Sequence, residues 1–335
     1  MADASPITVS KLCVLLRGAS SVTVLSHVRP DADTLTSAFA LCAMLRQMGK
    51  KAACRCDGDV PETLRFLLGD EPLRGDIPDG TDLLLAVDVA SPGQLGSFGY
   101  LADAVDAMID HHASGEPFAP YFLDGGAAAA AELVYKIYSM LRTFGDLPEM
   151  PDVARLLYAG LADDTGNFKY SNVTPETFRV AGALLSEIAP SDGLTAAEIS
   201  RNLFDSHPLP IMRGNALVTR KLRLYEDGRL AVSTVSLADL DGEGLTEADL
   251  ADGADIPRAV RGTEIGVILK QQMDDPTAYR VSSRSNGDAD VAAVCRAFGG
   301  GGHVKAAGCT IRAVSPEEAE RIAADTFAKA LGGAK

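Results

Sequence analysis

The chain has 335 residues, 47% of them hydrophobic and 23% charged, with a net charge of −15. That length suggests two compact domains, and that balance excludes a chain disordered throughout. The acidic excess argues against a protein that grips long nucleic acid by neutralising its phosphates, but it leaves room for a small anionic substrate bound through a metal.

Met1 to Gly18 lacks the unbroken apolar core of a secretory signal, and no apolar run has the length needed to cross a bilayer. Residues 21–26 read as a buried strand through Val22, Val24 and Leu25. A helix follows, with Leu35, Phe39, Cys42 and Leu45 on one face and Gly49 as its stop. The uninterrupted run Leu83 to Val87 fits a central strand buried on both faces. Residues 105–109 give a weaker strand. Helices are predicted over 128–144, 152–161 and 175–188, the last opened by Thr174 as cap and Pro175 at its first position. This alternation is the pattern of an α/β domain, a parallel sheet with helices on both faces.

A break near 189–193 and a connecting helix over 195–203 lead to a change of texture at about Leu222. Residues 221–225 and 230–235 flank the hairpin signal Glu226-Asp227-Gly228, and residues 264–273 and 278–283 flank Asp274-Asp275-Pro276. Helices are predicted over 290–298 and 316–331, the second with Ser315 and Glu318 as a capping box. The reading is a catalytic domain over 1–188, a linker over 189–215 and a smaller α+β domain over 216–335. The six cysteines are scattered, and Cys54 and Cys56 form C-x-C with no second pair to complete a zinc site. Reduced thiols and a cytoplasmic setting are expected.

Three polar groups stand where predicted strands end. His27 and Pro30-Asp31-Ala32-Asp33 follow the first, Asp88 ends the apolar run, and Asp110-His111-His112 follows Ile109. Ligands of open α/β sheets gather beyond the carboxyl ends of strands, so these distant segments can converge. One aspartate after a strand is ordinarily a turn or cap residue. Four carboxylates around two histidines, however, repel one another unless a cation balances them. Two divalent ions cancel that charge, and oxygen with imidazole suits manganese, magnesium or iron. In the second domain Gly299 ends a helix, and the glycines that follow, before His303, let backbone N–H groups approach a phosphate or sugar.

The first three segments resemble motifs of the DHH phosphoesterase superfamily, and Asp164-Thr165-Gly166-Asn167-Phe168 resembles its D-T-G-x-F motif. Ser283-Arg284-Ser285 and the stretch from Phe298 through His303 to Gly308 resemble the DHHA1 domain. Within the superfamily the chain looks most like the nano-RNase (oligoribonuclease) and pAp phosphatase group. The resemblance implies a parallel-sheet DHH domain linked to a DHHA1 domain. It gives one metal to His27, Asp31 and Asp88, and a second to Asp33, Asp88, His111 and Asp164, with Asp88 bridging. Asp163 then stands behind the ligands. Asp110, His112 and Arg284 take catalytic roles, and Arg284, Ser285, Gly300, Gly301, Gly302 and His303 bind substrate.

The activity implied is hydrolysis of short oligoribonucleotides to mononucleotides, and of pAp to AMP, by a water activated between two divalent metal ions. Manganese is the first choice, with magnesium or another divalent ion as alternatives. Linear dinucleotides such as pApA are the alternative substrate, and a non-catalytic nucleotide-binding protein is the non-enzyme reading. Expected partners are short single-stranded RNA or small nucleotides, without a membrane or a stable long nucleic-acid complex; a homodimer is compatible. Thr36-Ser37 stands where the family commonly has Gly-Ser, and Gly115 where it has Asn, departures that bear on substrate choice.

Overall fold

An amphipathic helix that the sequence reading lacks opens the fold. α1 (Val9–Gly18) is capped by the Thr8 side chain and buries Leu12, Cys13 and Leu16. The computed structural model describes residues 4–113, 115–189 and 191–332, which divide into a first unit ending at Ser206 and a second beginning at His207.

In the first unit β1 (Ser21–Leu25) is wholly buried, as its β-branched and leucine content requires of an inner strand. α2 (Ala32–Gln47) follows, then β2 (Lys51–Arg55), the short α3 (Arg65–Leu68), β3 (Leu83–Val87), β4 (Ala107–Asp110) and β5 (Tyr121–Leu123). α4 (Ala130–Thr143), α5 (Pro151–Asp164), α6 (Pro175–Ile188) and α7 (Ala196–Phe204) complete the unit. The strands form one parallel sheet in the order β2-β1-β3-β4-β5. The order reverses between β1 and β3, and the segments leaving their carboxyl ends begin with Ser26-His27 and Asp88. That is where a doubly wound sheet opens a crevice.

α2 and α4 lie on one face of the sheet, with a continuous core running through α5 and α6. The other face is covered by a 3-10 stretch, Pro92–Ala104, through Leu95 and Phe98. The single apolar face read for α2 understates its burial. Packed between the sheet and α5, it buries even Asp33, Thr34, Thr36 and Ser37.

The second unit contains α8 (Leu209–Arg220), β6 (Leu222–Tyr225), β7 (Leu230–Val235), α9 (Leu237–Glu243), α10 (Asp255–Arg258), β8 (Ile265–Gln271) and β9 (Ala278–Ser285). It ends with α11 (Val291–Arg296), β10 (Gly301–His303), β11 (Ala306–Arg312) and α12 (Pro316–Ala328). The sheet order is β10-β11-β9-β8-β7-β6, antiparallel except between β7 and β8. Helices occupy most of the segment expected as a linker. α7 joins the first core through Ile199, and α8 the second unit through Leu217 and Val218. The expected capping box at Ser315 is half formed. Ser315 Oγ accepts from Glu318 N, but Glu318 Oε2 accepts from Val314 N rather than from the cap.

Candidate metal centre

The first unit carries a cavity of ≈ 340 Å³ lined by His27, Val28, Arg29, Asp31, Asp88, Gln94, His111, His112 and Asp164. Each carboxylate reaches it by a different local device. Asp31 caps α2. Its Oδ1 accepts from Thr34 N at 3.1 Å, while Oδ2 lies 3.4 Å from His27 Nε2. His27 Nδ1 donates to the Val28 carbonyl at 2.9 Å, which turns Nε2 toward Asp31 and Asp88.

Asp33, in the first turn of α2, is fully buried and accepts from Ala130 N at 2.6 Å and Ala131 N at 2.9 Å. It therefore supplies the carboxylate cap that α4 lacks in its own sequence, since Ala129 at the N-cap has no side chain to offer. The alanine-rich stretch 127–131 makes this approach possible, because every one of those residues is buried and small. Sequence reading saw only a helix start there. Gly160 on α5 completes the fit. A Cβ at that position would stand 2.7 Å from Thr36 Oγ1 and 2.8 Å from Asp33 Oδ1.

Asp88 leaves β3 with a φ of 57°, a conformation open to aspartate and asparagine but unfavourable for most residues. Its amide donates to Ile109 O at 2.8 Å, and its carboxylate is 2% exposed. Oδ2 lies 3.5 Å from His27 Nε2 and Oδ1 lies 3.4 Å from His111 Nε2. No hydrogen bond reaches Oδ1 among the described residues. His111 Nε2 also stands 3.2 Å from Asp164 and 3.9 Å from Asp33. Asp163 points elsewhere, accepting from Ala32 N at 3.2 Å. Burial and the nearby Asp31 and Asp164 push its carboxyl up to about 7.

Ligand atoms of His27, Asp31 and Asp88 lie within 4.8 Å of one another, as do those of Asp33, His111 and Asp164, and those of Asp88, His111 and His112. The electrostatics fit a cation. Burial raises the Asp33 carboxyl far above its ordinary range, and the charges of Asp164 and Asp88 raise it further. Burial opposes a proton on either imidazole, yet their carboxylate neighbours hold His27 up to about 11 and His111 up to about 12. Carboxylates crowded in this way are disposed to hold divalent cations, and Asp88 Oδ1, buried without a hydrogen bond among the described residues, is available as a ligand atom.

Asp110, the last residue of β4, is turned to a different task. Its Oδ1 accepts from His112 Nδ1 at 2.8 Å and from His111 N at 2.9 Å, which fixes the ring of His112. That hydrogen bond, against some burial, raises the His112 pKa. Gly115 packs close to this carboxylate; a Cβ there would be 3.3 Å from Asp110 Oδ2 and 3.1 Å from Ala90 O. Arg29 and Gln94 also line the cavity, and sequence reading missed both. Arg29 lies inside the first motif and had a signal to offer; nothing in the sequence distinguishes Gln94.

In the second unit the remaining site residues fall into two groups. Arg284, on β9, is partly exposed, with Nε 3.7 Å from Asp255 Oδ1. Ser285 is buried and donates its hydroxyl to Gly287 O at 3.3 Å, so it shapes a turn of its own unit. Three of the four glycines before His303 answer to the fold. Gly299 lies in the turn that follows α11, with a φ of 72° and its N–H on Arg296 O. A Cβ on Gly300 would collide with Gly308 O and Cys309 Cβ, and one on Gly302 with Ala306 O and Ala307 Cα. Gly301 has open space around it and is exposed with His303 on the edge strand β10.

Comparison with known proteins bears on both units. Residues 21–161 match the DHH family, N-terminal domain, and residues 227–331 match the DHHA1 domain. The bifunctional oligoribonuclease and PAP phosphatase NrnA of Thermus thermophilus is 30% identical over 304 residues, 89% of this chain and 87% of the relative. The Bacillus subtilis protein of the same name is 27% identical over 300 residues, 89% and 91% of the two chains. The cyclic-di-AMP phosphodiesterase PdeA of Listeria monocytogenes is 22% identical over 92% of this chain but only 47% of its own length. In fold, the chain is similar to the crystal structure of an exopolyphosphatase-related protein from Bacteroides fragilis. The TM-score is 0.85 at 20% identity, with 96% and 95% of the two chains covered.

Proposed function

The chain belongs to the DHH phosphoesterase family, and from that premise we propose that it is a metal-dependent hydrolase that cleaves short oligoribonucleotides to mononucleotides and pAp to AMP. The observation that carries the reading is Asp88. One buried carboxylate faces His27 with one oxygen and His111 with the other, and so belongs to two ligand groups at once. In the proposed assignment His27, Asp31 and Asp88 hold one divalent ion, and Asp33, Asp88, His111 and Asp164 hold the other, with manganese as the working metal. Two such ions supply Lewis acidity toward the phosphate and lower the pKa of water.

The chain's own residues do the rest. Asp31 and Asp33 are fixed by backbone amides at helix starts, so the ligands need not reorganise when substrate arrives. Asp110 holds His112 Nδ1 and favours the protonated ring. With its ring oriented in this way, His112 is assigned to protonating the leaving oxygen. Arg284 and the Gly301–His303 edge are assigned to substrate recognition by the second unit. The curated relatives named for oligoribonuclease and PAP phosphatase activity support short RNA and pAp over other phosphate esters. PdeA, and the cyclic-di-AMP phosphodiesterase GdpP of Bacillus subtilis at 25% identity over 47% of its length, extend the similar phosphodiesterases to enzymes named for an adenine dinucleotide, and linear pApA is kept as a second substrate class to test.

The test is chromatography of products from pAp, pApA, pGpG, RNAs of about two to five nucleotides, a longer RNA and pyrophosphate, with and without manganese. Metal-dependent mononucleotide release from the short RNAs is expected. Turnover confined to pApA would move the reading to dinucleotides, and silence across the panel would overturn it.

A further inference from the structure

The acidic residues of the cavity cannot by themselves bind a phosphate, because ionised carboxylates and phosphate oxygens are both acceptors. His27 and His111 turn Nε2 toward carboxylates. Besides His112, the cavity's side-chain donors are Arg29 and Gln94.

The backbone at Arg29 and the side chain of Gln94 are fixed by their surroundings. Arg29 has a φ of 54° and precedes Pro30, a pairing of positive φ and a following proline that the unconstrained chain avoids. The loop around it is clamped on several sides. Val28 N donates to Gln94 O at 2.7 Å, and Cys56 Sγ donates to His27 O at 3.1 Å. A Cβ on Gly58 would stand 2.7 Å from Pro30 Cδ, and one on Gly96 would overlap Val28 Cγ1. The Arg29 guanidinium takes no part in the ion pairs of the described residues and stands exposed at the cavity wall. Gln94 accepts from Ala90 N at 2.6 Å through Oε1, which leaves its Nε2 hydrogens as donors. Strain maintained by such a clamp marks a position whose geometry matters to function.

We propose that Arg29 and Gln94 form the donor wall of this cavity and bind the non-bridging oxygens of the substrate's phosphate. The guanidinium offers paired N–H groups suited to two oxygens, and the carboxamide adds a neutral donor from a separate loop. The inference rests on the phosphoesterase reading for the identity of the ligand, but not for the binding itself.

The test uses the full chain with manganese bound and inorganic phosphate as the probe, titrated calorimetrically. Arg29→Met removes the charge at similar length. Arg29→Lys keeps a point charge without the fork. Gln94→Glu keeps the acceptor for Ala90 N and replaces the donors by an anion. Phosphate affinity is expected to fall about ten- to a hundredfold in Arg29→Met and Gln94→Glu, the range for losing a charged or donor contact. Arg29→Lys should fall between, with metal content unchanged throughout and KM for pAp rising in step. Unchanged phosphate affinity in Arg29→Met and Gln94→Glu would overturn the proposal. So would metal loss parallel to the affinity loss, since the loop would then only scaffold the ligands. If the wild-type chain binds phosphate but hydrolyses nothing in the substrate panel, the enzymatic reading fails while the donor wall stands.

Discussion

Asp88 concentrates the chemistry of the site in one side chain. Its φ of 57° decides how it should be tested. Alanine there would add backbone strain to the loss of a ligand, whereas asparagine tolerates positive φ and keeps the shape. Asp88→Asn is therefore expected to fold with a melting temperature close to that of metal-free wild type and to lose manganese. Affinity should fall by more than the ~10–100-fold typical of a residue that only supports a ligand. Metal analysis after dialysis checks this, and a variant that keeps two ions per chain would remove Asp88 from the centre. The sequence made Asp88 legible because an uninterrupted apolar run ends on it, as does the run before Asp110. It did not reveal that Asp33 also caps α4, because that cap is built between residues almost a hundred positions apart. Gln94 escaped for a related reason. Its side-chain bond to Ala90 stays within its own loop, but the Val28 N–H···O bond that ties it to the first motif arises only once two strand-end loops lie side by side.

At the scale of elements, two glycines separate packing from recognition. Gly160 marks where α5 crosses α2, and Gly160→Ala would place a methyl against Thr36 Oγ1 and Asp33 Oδ1. Overpacking of this kind costs about 1–3 kcal/mol, and here it also pushes on a proposed ligand. Both the unfolding midpoint in urea and manganese affinity are expected to drop; a lower midpoint with intact metal binding would show that α2 yields without moving Asp33. In the β10–β11 hairpin the comparison is between neighbours. Gly300→Ala meets backbone and should destabilise the second unit, whereas Gly301→Ala meets nothing within 4 Å. Gly301→Ala is expected to leave stability within about 0.5 kcal/mol of wild type. A rise in KM for pAp or short RNA in that variant would then report substrate contact, and wild-type kinetics would count against a recognition role for the strand. The sequence reading gave Gly299 to the end of a helix and Gly300, Gly301 and Gly302 to substrate. Close strand approach at Gly300 and Gly302 is a packing demand that no local pattern distinguishes from a ligand-binding loop. The α/β and α+β textures, by contrast, were readable because hydrophobic period and turn residues are local signals. α1, β2 and β5 were not, their apolar runs being short or broken by polar residues.

For the whole molecule the governing fact is that the proposed ligands all belong to one unit. His27, Asp31, Asp33, Asp88, His111 and Asp164 fall before Ser206, and the two units bury separate hydrophobic clusters. The carboxylates crowd together in the folded first unit and separate when it unfolds, so their mutual repulsion opposes folding unless cations are bound. Divalent metal should therefore stabilise that unit selectively. At a free concentration about a hundredfold above the dissociation constant, linkage gives ~2.7 kcal/mol, or roughly 5–10 °C for a unit of this size. Calorimetry of the intact chain is expected to show one transition that moves upward with manganese and returns after chelation, and a second that stays fixed. Asp88→Asn should abolish the movement of the first without affecting the second. A metal-dependent shift confined to the second transition would place the ions in the second unit. No shift at all, with metal shown to be bound, would mean that the ions bind the unfolded chain as tightly as the assembled carboxylates.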